Sequence, residues 1–367
     1  MSLSVGIVGL PNVGKSTLFN ALSSKQAEAA NYAFCTIDPN HGVVPVPDAR
    51  FDALVKQVKP EKAVPTTVDF VDIAGLVRGA SKGEGKGNAF LSHIREVDAV
   101  AHVVRCFEDE NIVHVDNRVD PAADIETLET ELVLKDLETV EKRLDKARRA
   151  AKGNDPLEKK AVEILEKLRA RLDAGEPASV VTIEDDDHAR IVRELCLITK
   201  KPMFFVANVA ESQLASAGDD PLVGAVRAIA AKRGAPVVVI SAAIEAEIMQ
   251  LEAEERGDFL ASLELTEPGL SKVIRTGYEM LHLITYFTAG KKEVRAWTID
   301  RGMKAPQAAG KIHSDFERGF IKAEVIKFDD MIALGSEQAV KAAGKMSMEG
   351  KEYVVEDGDI MHFRFNV

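Results

Sequence analysis

Residues 9 to 16 read Gly-Leu-Pro-Asn-Val-Gly-Lys-Ser, set between the apolar run Ser4-Val5-Gly6-Ile7-Val8 and a helical pattern from Ser16 to Leu22. Strand, glycine loop and helix in that order leave the chain few alternatives. Gly9 and Gly14 let the backbone turn until consecutive amides face one concavity, and the helix N-terminus adds its partial positive charge. An anion fits such a cradle. The spacing G-x-x-x-x-G-K-[ST] adds chemistry to the geometry: Asn12, Val13 and Gly14 wrap the anion, and Lys15 reaches β- and γ-phosphates. Ser16 offers its hydroxyl to Mg²⁺, and Thr17 bonds an α-phosphate oxygen. The competing reading is a glycine-rich turn capped by Ser16.

Further apolar runs at 67–73, 99–104, 203–209 and 236–240 each end beside polar or glycine-bearing stretches. Strands alternating with helices predict an α/β fold with a parallel sheet, its ligands at the strands' C-terminal ends. About a hundred residues separate Val104 from Phe205, too many for a simple crossover, so an insertion is required. Leu128, Leu132, Leu137, Val140, Leu144 and Ala147 recur at mostly helical intervals. After Gly153-Asn154-Asp155-Pro156, so do Leu157, Ala161, Ile164, Leu165, Leu168 and Leu172. Two long antiparallel amphipathic helices follow, either a pair packed on itself or a projecting arm that touches a partner. Neither displays an uninterrupted heptad seam, and a monomer is expected.

The formal net charge of −12 does not suit a general nucleic-acid coat. Yet residues 291 to 327 hold nine Lys or Arg against five Asp or Glu, a local basic surplus within a tail whose strands at 293–299 and 361–367 predict a small α+β module. No uncharged apolar run reaches the roughly 18 residues of a bilayer span, and no leader pattern opens the chain, so a cytoplasmic protein without membrane attachment is expected. Cys35, Cys106 and Cys196 lack metal-ligand spacing and are expected as buried thiols.

Asp72 closes a strand three residues before Gly75. Downstream of a phosphate loop, that carboxylate holds Mg²⁺ while the Gly75 amide faces a γ-phosphate. Gly75, Gly79, Gly83, Gly85 and Gly87 then crowd a segment that reads as a switch ordered by the phosphate, or else as a plain surface loop. The position after Gly75, where a GTPase carries the glutamine that orients water, is Leu76. Leucine cannot hold a water by hydrogen bonding. Hydrolysis is then either negligible or completed from elsewhere.

The base-reading motif of GTPases, Asn-Lys-x-Asp, is replaced by Asn208-Val209-Ala210-Glu211. Glu211 is one methylene longer than the aspartate that accepts guanine's two N–H groups, and Val209 offers a shorter surface than a lysine stem. Adenine lacks the exocyclic amine, so the guanine preference weakens or reverses. Ser241, after the strand ending at Ile240, completes the base pocket.

The stretches GLPNVGKST, NYAFCTIDPN, DIAGLVRGASKGEGKGN and IREVDAVAHVVRCF together resemble the Obg-like ATPases of the YchF type, and the resemblance covers almost the whole chain. It implies a P-loop domain over residues 1–280, a helical coiled-coil arm inserted at 122–200, and a C-terminal β-grasp (TGS) domain over 281–367. It also implies ATP hydrolysis, with GTP the poorer substrate, and association with ribosomes, with the large subunit and its RNA the expected contacts. Thr36, which spacing alone leaves as an ordinary loop threonine or a ligand, becomes by resemblance the partner of Ser16 on Mg²⁺. Leu76 retracts, and His114 on a mobile loop works on the water in its place. His93 and His102 lie in regular apolar stretches and are expected to be structural. Asn12 is a candidate to assist K⁺ beside the phosphates, as in relatives with an apolar residue after D-x-x-G. Phosphate contacts in the tail are expected from Lys291, Lys292, Arg295, Lys304, Lys311 and Arg318. Two other classes remain open: a GTPase translation factor, and an adaptor in which nucleotide only stabilises a binding shape.

Overall fold

A computed structural model of the chain describes residues 3–29, 40–73, 87–112, 118–153 and 155–366. Thr36, Gly75, Leu76, Cys35 and His114 fall outside them. The valine-rich runs form strands β1 (Ser4–Val8), β2 (His41–Pro45), β3 (Lys62–Val64), β4 (Thr67–Asp72), β5 (Ala99–Arg105), β6 (Met203–Asn208) and β7 (Val237–Ile240). One six-stranded sheet runs β2-β4-β1-β5-β6-β7. Its pairs β4-β1, β1-β5, β5-β6 and β6-β7 are parallel, and all seven residues of β5 are buried, as a central strand covered on both faces requires.

The sheet is mixed rather than wholly parallel. Asp72 N–H bonds Asn40 C=O and Val46 N–H bonds Thr66 C=O, the reversed order of an antiparallel pair. An antiparallel neighbour needs no helical crossover onto the same sheet, and the chain between β2 and β4 is spent elsewhere.

The described residues group into two compact units, one drawn from Met1–Lys25, Ile37–Gly42 and Asp69–Gly277, the other from Gln26–Thr36, Val43–Val68 and Tyr278–Val367. In the first, helices α1 (Lys15–Ala29), α3 (Gly87–Glu96), α7 (Pro221–Arg233) and α8 (Ala242–Ile248) follow the strands. The long pair is α4 (Pro121–Ala151) and α5 (Pro156–Asp173). Asp120 and Asp155 cap them through the amides of Ala123 and Leu157, each with proline at the first turn, where the missing N–H costs nothing. Arg143 clasps Glu158 with two bonds of 2.9 Å across the pair. The helices do not pack on each other alone: Val140, Leu144, Ile164, Leu165 and Leu168 share a core with Ile191 and Val192 of α6 (Asp186–Glu194). Fully buried Asp136 of α4 accepts from the amides of Ile198 and Thr199 and from the Thr199 hydroxyl, tying the helix to the segment before β6.

The second unit holds a sheet of order β11-β10-β12-β8-β9-β3, adding β8 (Leu283–Ala289), β9 (Glu293–Asp300), β10 (Phe320–Ile326), β11 (Ser347–Glu349) and β12 (Ile360–Phe365). The pair β12-β8 is parallel, and antiparallel partners flank it. Helix Ala305–Ile312 packs Ala305, Ala308 and Ala309 with Tyr286, Ile299, Phe320 and Met361. A separate core joins Phe51 and Leu54 of α2 (Ala49–Val58) to Phe287, Val294, Ile326 and Ile360, and β3 runs parallel to β9. Residues between β2 and β4 therefore complete the C-terminal sheet. Cys106 is buried, and burial with nearby Asp220 and Asp124 pushes its thiol up to about 12. Cys196 departs from expectation: it is exposed, in the left-handed region at φ 48° just past α6.

Candidate nucleotide site

At the C-terminal ends of β1, β5, β6 and β7 lies a cavity of about 780 Å³, where an open parallel sheet is expected to bind its ligand. Leu10, Pro11, Asn12, Gly14, Lys15, Ser16 and Thr17 line one part; Asn208, Val209, Ala210, Glu211, Ser241, Ala242 and Ala243 line another. The loop between β1 and α1 turns through two left-handed residues, Asn12 at φ 62° and Gly14 at φ 93°. Glycine is required at the second for a further reason: a Cβ there would lie 2.2 Å from the Asn208 side-chain nitrogen. Gly9 is as constrained, since its Cβ would fall 2.7 Å from the Val103 carbonyl.

Asn208 is the joint between the two parts. Only 4% exposed, it donates through Nδ2 to the Val13 carbonyl and accepts through Oδ1 from the Ala242 amide, both at 2.9 Å. The phosphate loop, the end of β6 and the start of α8 are thereby fixed to one amide. Val209 is 2% exposed and belongs to the core beneath β6, so it meets the cavity mainly through its backbone. Glu211 is exposed at the start of a one-turn 3₁₀ helix, Glu211–Gln213. The Ser241 hydroxyl is buried without a protein partner, an orphaned polar group on the cavity wall that a ligand's polar edge would satisfy.

Lys15 donates to the Asp72 carboxylate. Ser16, the next residue, also lines the cavity, so the site offers a hydroxyl as well as the carboxylate that Lys15 meets. An oxygen-only donor pair suits Mg²⁺. Among the described residues no group of three or more His, Cys, Asp or Glu is arranged to hold a metal elsewhere. His93 sits exposed on α3, while His102 is 1% exposed within β5, where burial and the charge of Arg233 hold its imidazole down at about 3. Neither lines the cavity.

Three lining residues escaped the motif reading: Phe107, Asp109 and Ile112, on the loop after β5. Gln213 escaped too. Its side chain accepts from the Ala210 amide and donates to the Cys106 carbonyl and to Asp220, joining that loop's root to the base motif. In the second unit Lys291, Lys292 and Lys311 are exposed, whereas Lys304 pairs with Glu352 and Arg295 lies over Trp297. Arg318 stands 4.0 Å from Asp315. No helix among the described residues is long and apolar enough to cross a membrane.

Residues 4–141 match the family model described as "50S ribosome-binding GTPase", and residues 283–366 match the YchF-GTPase C-terminal model, described as "Protein of unknown function". A Bacillus subtilis protein named "Ribosome-binding ATPase YchF" is 54% identical over the full length of both chains. "Obg-like ATPase 1" of Rattus norvegicus is 47% identical over all of this chain and 93% of its own. The solved structure of the Schizosaccharomyces pombe YchF GTPase superposes with a TM-score of 0.89 at 40% identity, covering 99% of this chain and 98% of that one. With such identity sustained from end to end, and with the phosphate loop and base loop meeting at one cavity, the chain belongs to the YchF family.

Proposed function

We propose that this chain is a ribosome-binding ATPase that takes up ATP with Mg²⁺, hydrolyses it slowly to ADP, and acts as a nucleotide-dependent switch. The observation that carries the reading is the single cavity bounded by both the phosphate loop and the altered base motif, with Asn208 bonded to each side. The names borne by full-length relatives agree with it. Backbone amides around Gly14 and the N-terminus of α1 receive the β-phosphate, and Lys15 trades its Asp72 partner for β- and γ-oxygens. Mg²⁺, held by Ser16, Asp72 and, by family resemblance, Thr36, would neutralise charge gathering on the phosphates. Asn208 and the backbone of Val209 meet adenine, and Glu211 stands where a guanine-binding aspartate would be. The amide of Gly75 senses the γ-phosphate. In place of Leu76, the neutral imidazole of His114 orients the water, which gives turnover well below the roughly 1 to 100 s⁻¹ of kinases. Asn12 would assist K⁺ if that ion binds beside the phosphates.

Residues 1–280, apart from the excursion between β2 and β4 that joins the C-terminal sheet, read as the P-loop domain, with 122–200 an inserted coiled-coil arm and 281–367 a TGS domain. The parallel β12-β8 pair between antiparallel neighbours, with one helix across it, supports the β-grasp assignment. Arm and TGS domain would dock on the large ribosomal subunit, with Lys291, Lys292 and Lys311 contacting RNA phosphates in a salt-sensitive manner. A cytoplasmic monomer is the matching state. Calorimetric titration with non-hydrolysable ATP and GTP in magnesium buffer tests the base reading. Tighter ATP binding is expected; tighter GTP binding would overturn the assignment of Asn208 and Glu211.

A further inference from the structure

The strand β5 is buried along its whole length and, apart from His102, is apolar until its last residue, Arg105, which is itself only 1% exposed. Its guanidinium faces no carboxylate among the described residues. It donates instead to three main-chain carbonyls: Nε to Phe107 at 3.0 Å, Nη1 to Ile112 at 3.0 Å and Nη2 to Asp109 at 3.4 Å. The cation also lies 4.6 Å from the centre of the Phe107 ring. A buried cation is tolerated only when its donors are satisfied, and the rigid fork of arginine can serve several carbonyls in one plane where an ammonium cannot. The residues whose carbonyls it holds are the same three that line the cavity from this loop.

The loop springs from the base end of the site. Arg105 is register-paired with Asn208, the Cys106 amide bonds the Asn208 carbonyl at 2.8 Å, and Gln213 links Cys106 to Ala210. We propose that Arg105 is a positioning residue for nucleotide binding, fixing Phe107, Asp109 and Ile112 as a wall against the base and ribose of the bound nucleotide. Phosphate recognition is left to the loop at 9–17. The proposal rests on the nucleotide reading above and adds to it a residue that touches no ligand itself.

The two halves of the ligand separate the roles. Arg105→Lys keeps the charge and loses the fork, so affinity for a non-hydrolysable ATP analogue should fall about tenfold. Affinity for magnesium tripolyphosphate, which has no base or ribose, should stay at the wild-type value. Phe107→Ala, at a half-buried loop position, should show the same split and decides the matter if Arg105→Lys does not fold. Loss of both ligands in parallel would mark a general structural effect and overturn the proposal. So would a variant that binds the ATP analogue like wild type while the wild type binds both ligands. A wild-type protein that takes tripolyphosphate but no nucleotide analogue would sink the nucleotide reading itself, and the wall with it.

Discussion

Gly14 and Asn208 form a pair whose coupling can be worked from the structure. Asn208→Ala removes the bonds to the Val13 carbonyl and the Ala242 amide. Leaving a buried polar group unmatched costs about 1–3 kcal/mol, and since both groups border a cavity open to water the lower end applies, about 2 kcal/mol together. Gly14→Ala imposes about 1 kcal/mol of left-handed backbone strain at φ 93°. It also drives a Cβ to 2.2 Å from the Asn208 nitrogen, which must swing away and surrender the same two bonds. The single costs are thus about 3 and about 2 kcal/mol, yet the double variant loses those bonds only once and should cost about 3. The coupling energy is then about 2 kcal/mol. Trp297, the lone tryptophan, lies in the other unit and would report on the wrong part of the chain. The exchange rate of the Phe205 amide, whose bond to the Pro236 carbonyl neither substitution removes, followed by NMR, reads the opening free energy of β6 in every variant. Costs that simply add, within about 0.5 kcal/mol, would show that the Gly14 requirement has nothing to do with Asn208.

His102 and Asp136 supply two further tests. Burial first, and the charge of Arg233 second, lower the His102 imidazole to about 3 from an ordinary 6.5. Between those values the unfolded chain takes up a proton that the folded one refuses. Stability therefore falls as pH drops from about 6.5 toward 3, by up to roughly 1.4 kcal/mol per unit. His102→Leu should flatten that portion of the unfolding-temperature profile, and an unaltered slope would clear His102 of the effect. Asp136→Ala strips the acceptor from the amides of Ile198 and Thr199, at about 1–3 kcal/mol each. A lowered urea midpoint by circular dichroism is expected, and one that does not move would show that α4 is held by its apolar face alone.

Strands β1, β4, β5, β6 and β7 of the nucleotide-site sheet were legible because each is a largely apolar run ending beside glycine or a polar residue, whereas β2 was not read as a strand; the helix break at 153–156 was legible because proline and a capping aspartate act locally. The excursion between β2 and β4 was not. Phe51 and Leu54 show helical spacing, but nothing in their neighbourhood says that their partners are Phe287, Val294 and Ile360, more than two hundred positions away. Local pattern tells which face of an element is buried; it carries no address for what buries it. The antiparallel β2 follows from the same gap, since its direction depends on where the intervening chain goes.

The candidate site divides along the same line. Its phosphate half is encoded in contiguous residues, because a glycine turn, a lysine and a hydroxyl act where they stand. Its base half is assembled from residues brought together across strands, and there a motif names only part of the wall. Arg105 was visible as a charge ending an apolar run, which by itself says that something must satisfy it. Its partners are main-chain carbonyls, and every residue type carries one of those, so side-chain patterns could not name them. The charge therefore marks the place while the fold supplies the reason: the donors of Arg105 match three carbonyls that a cavity wall needs held. A fully buried arginine that meets no carboxylate among the described residues and instead holds the carbonyls of a cavity wall is for that reason a pointer to ligand positioning rather than to stability alone. The tripolyphosphate comparison is the measurement that tells those two apart.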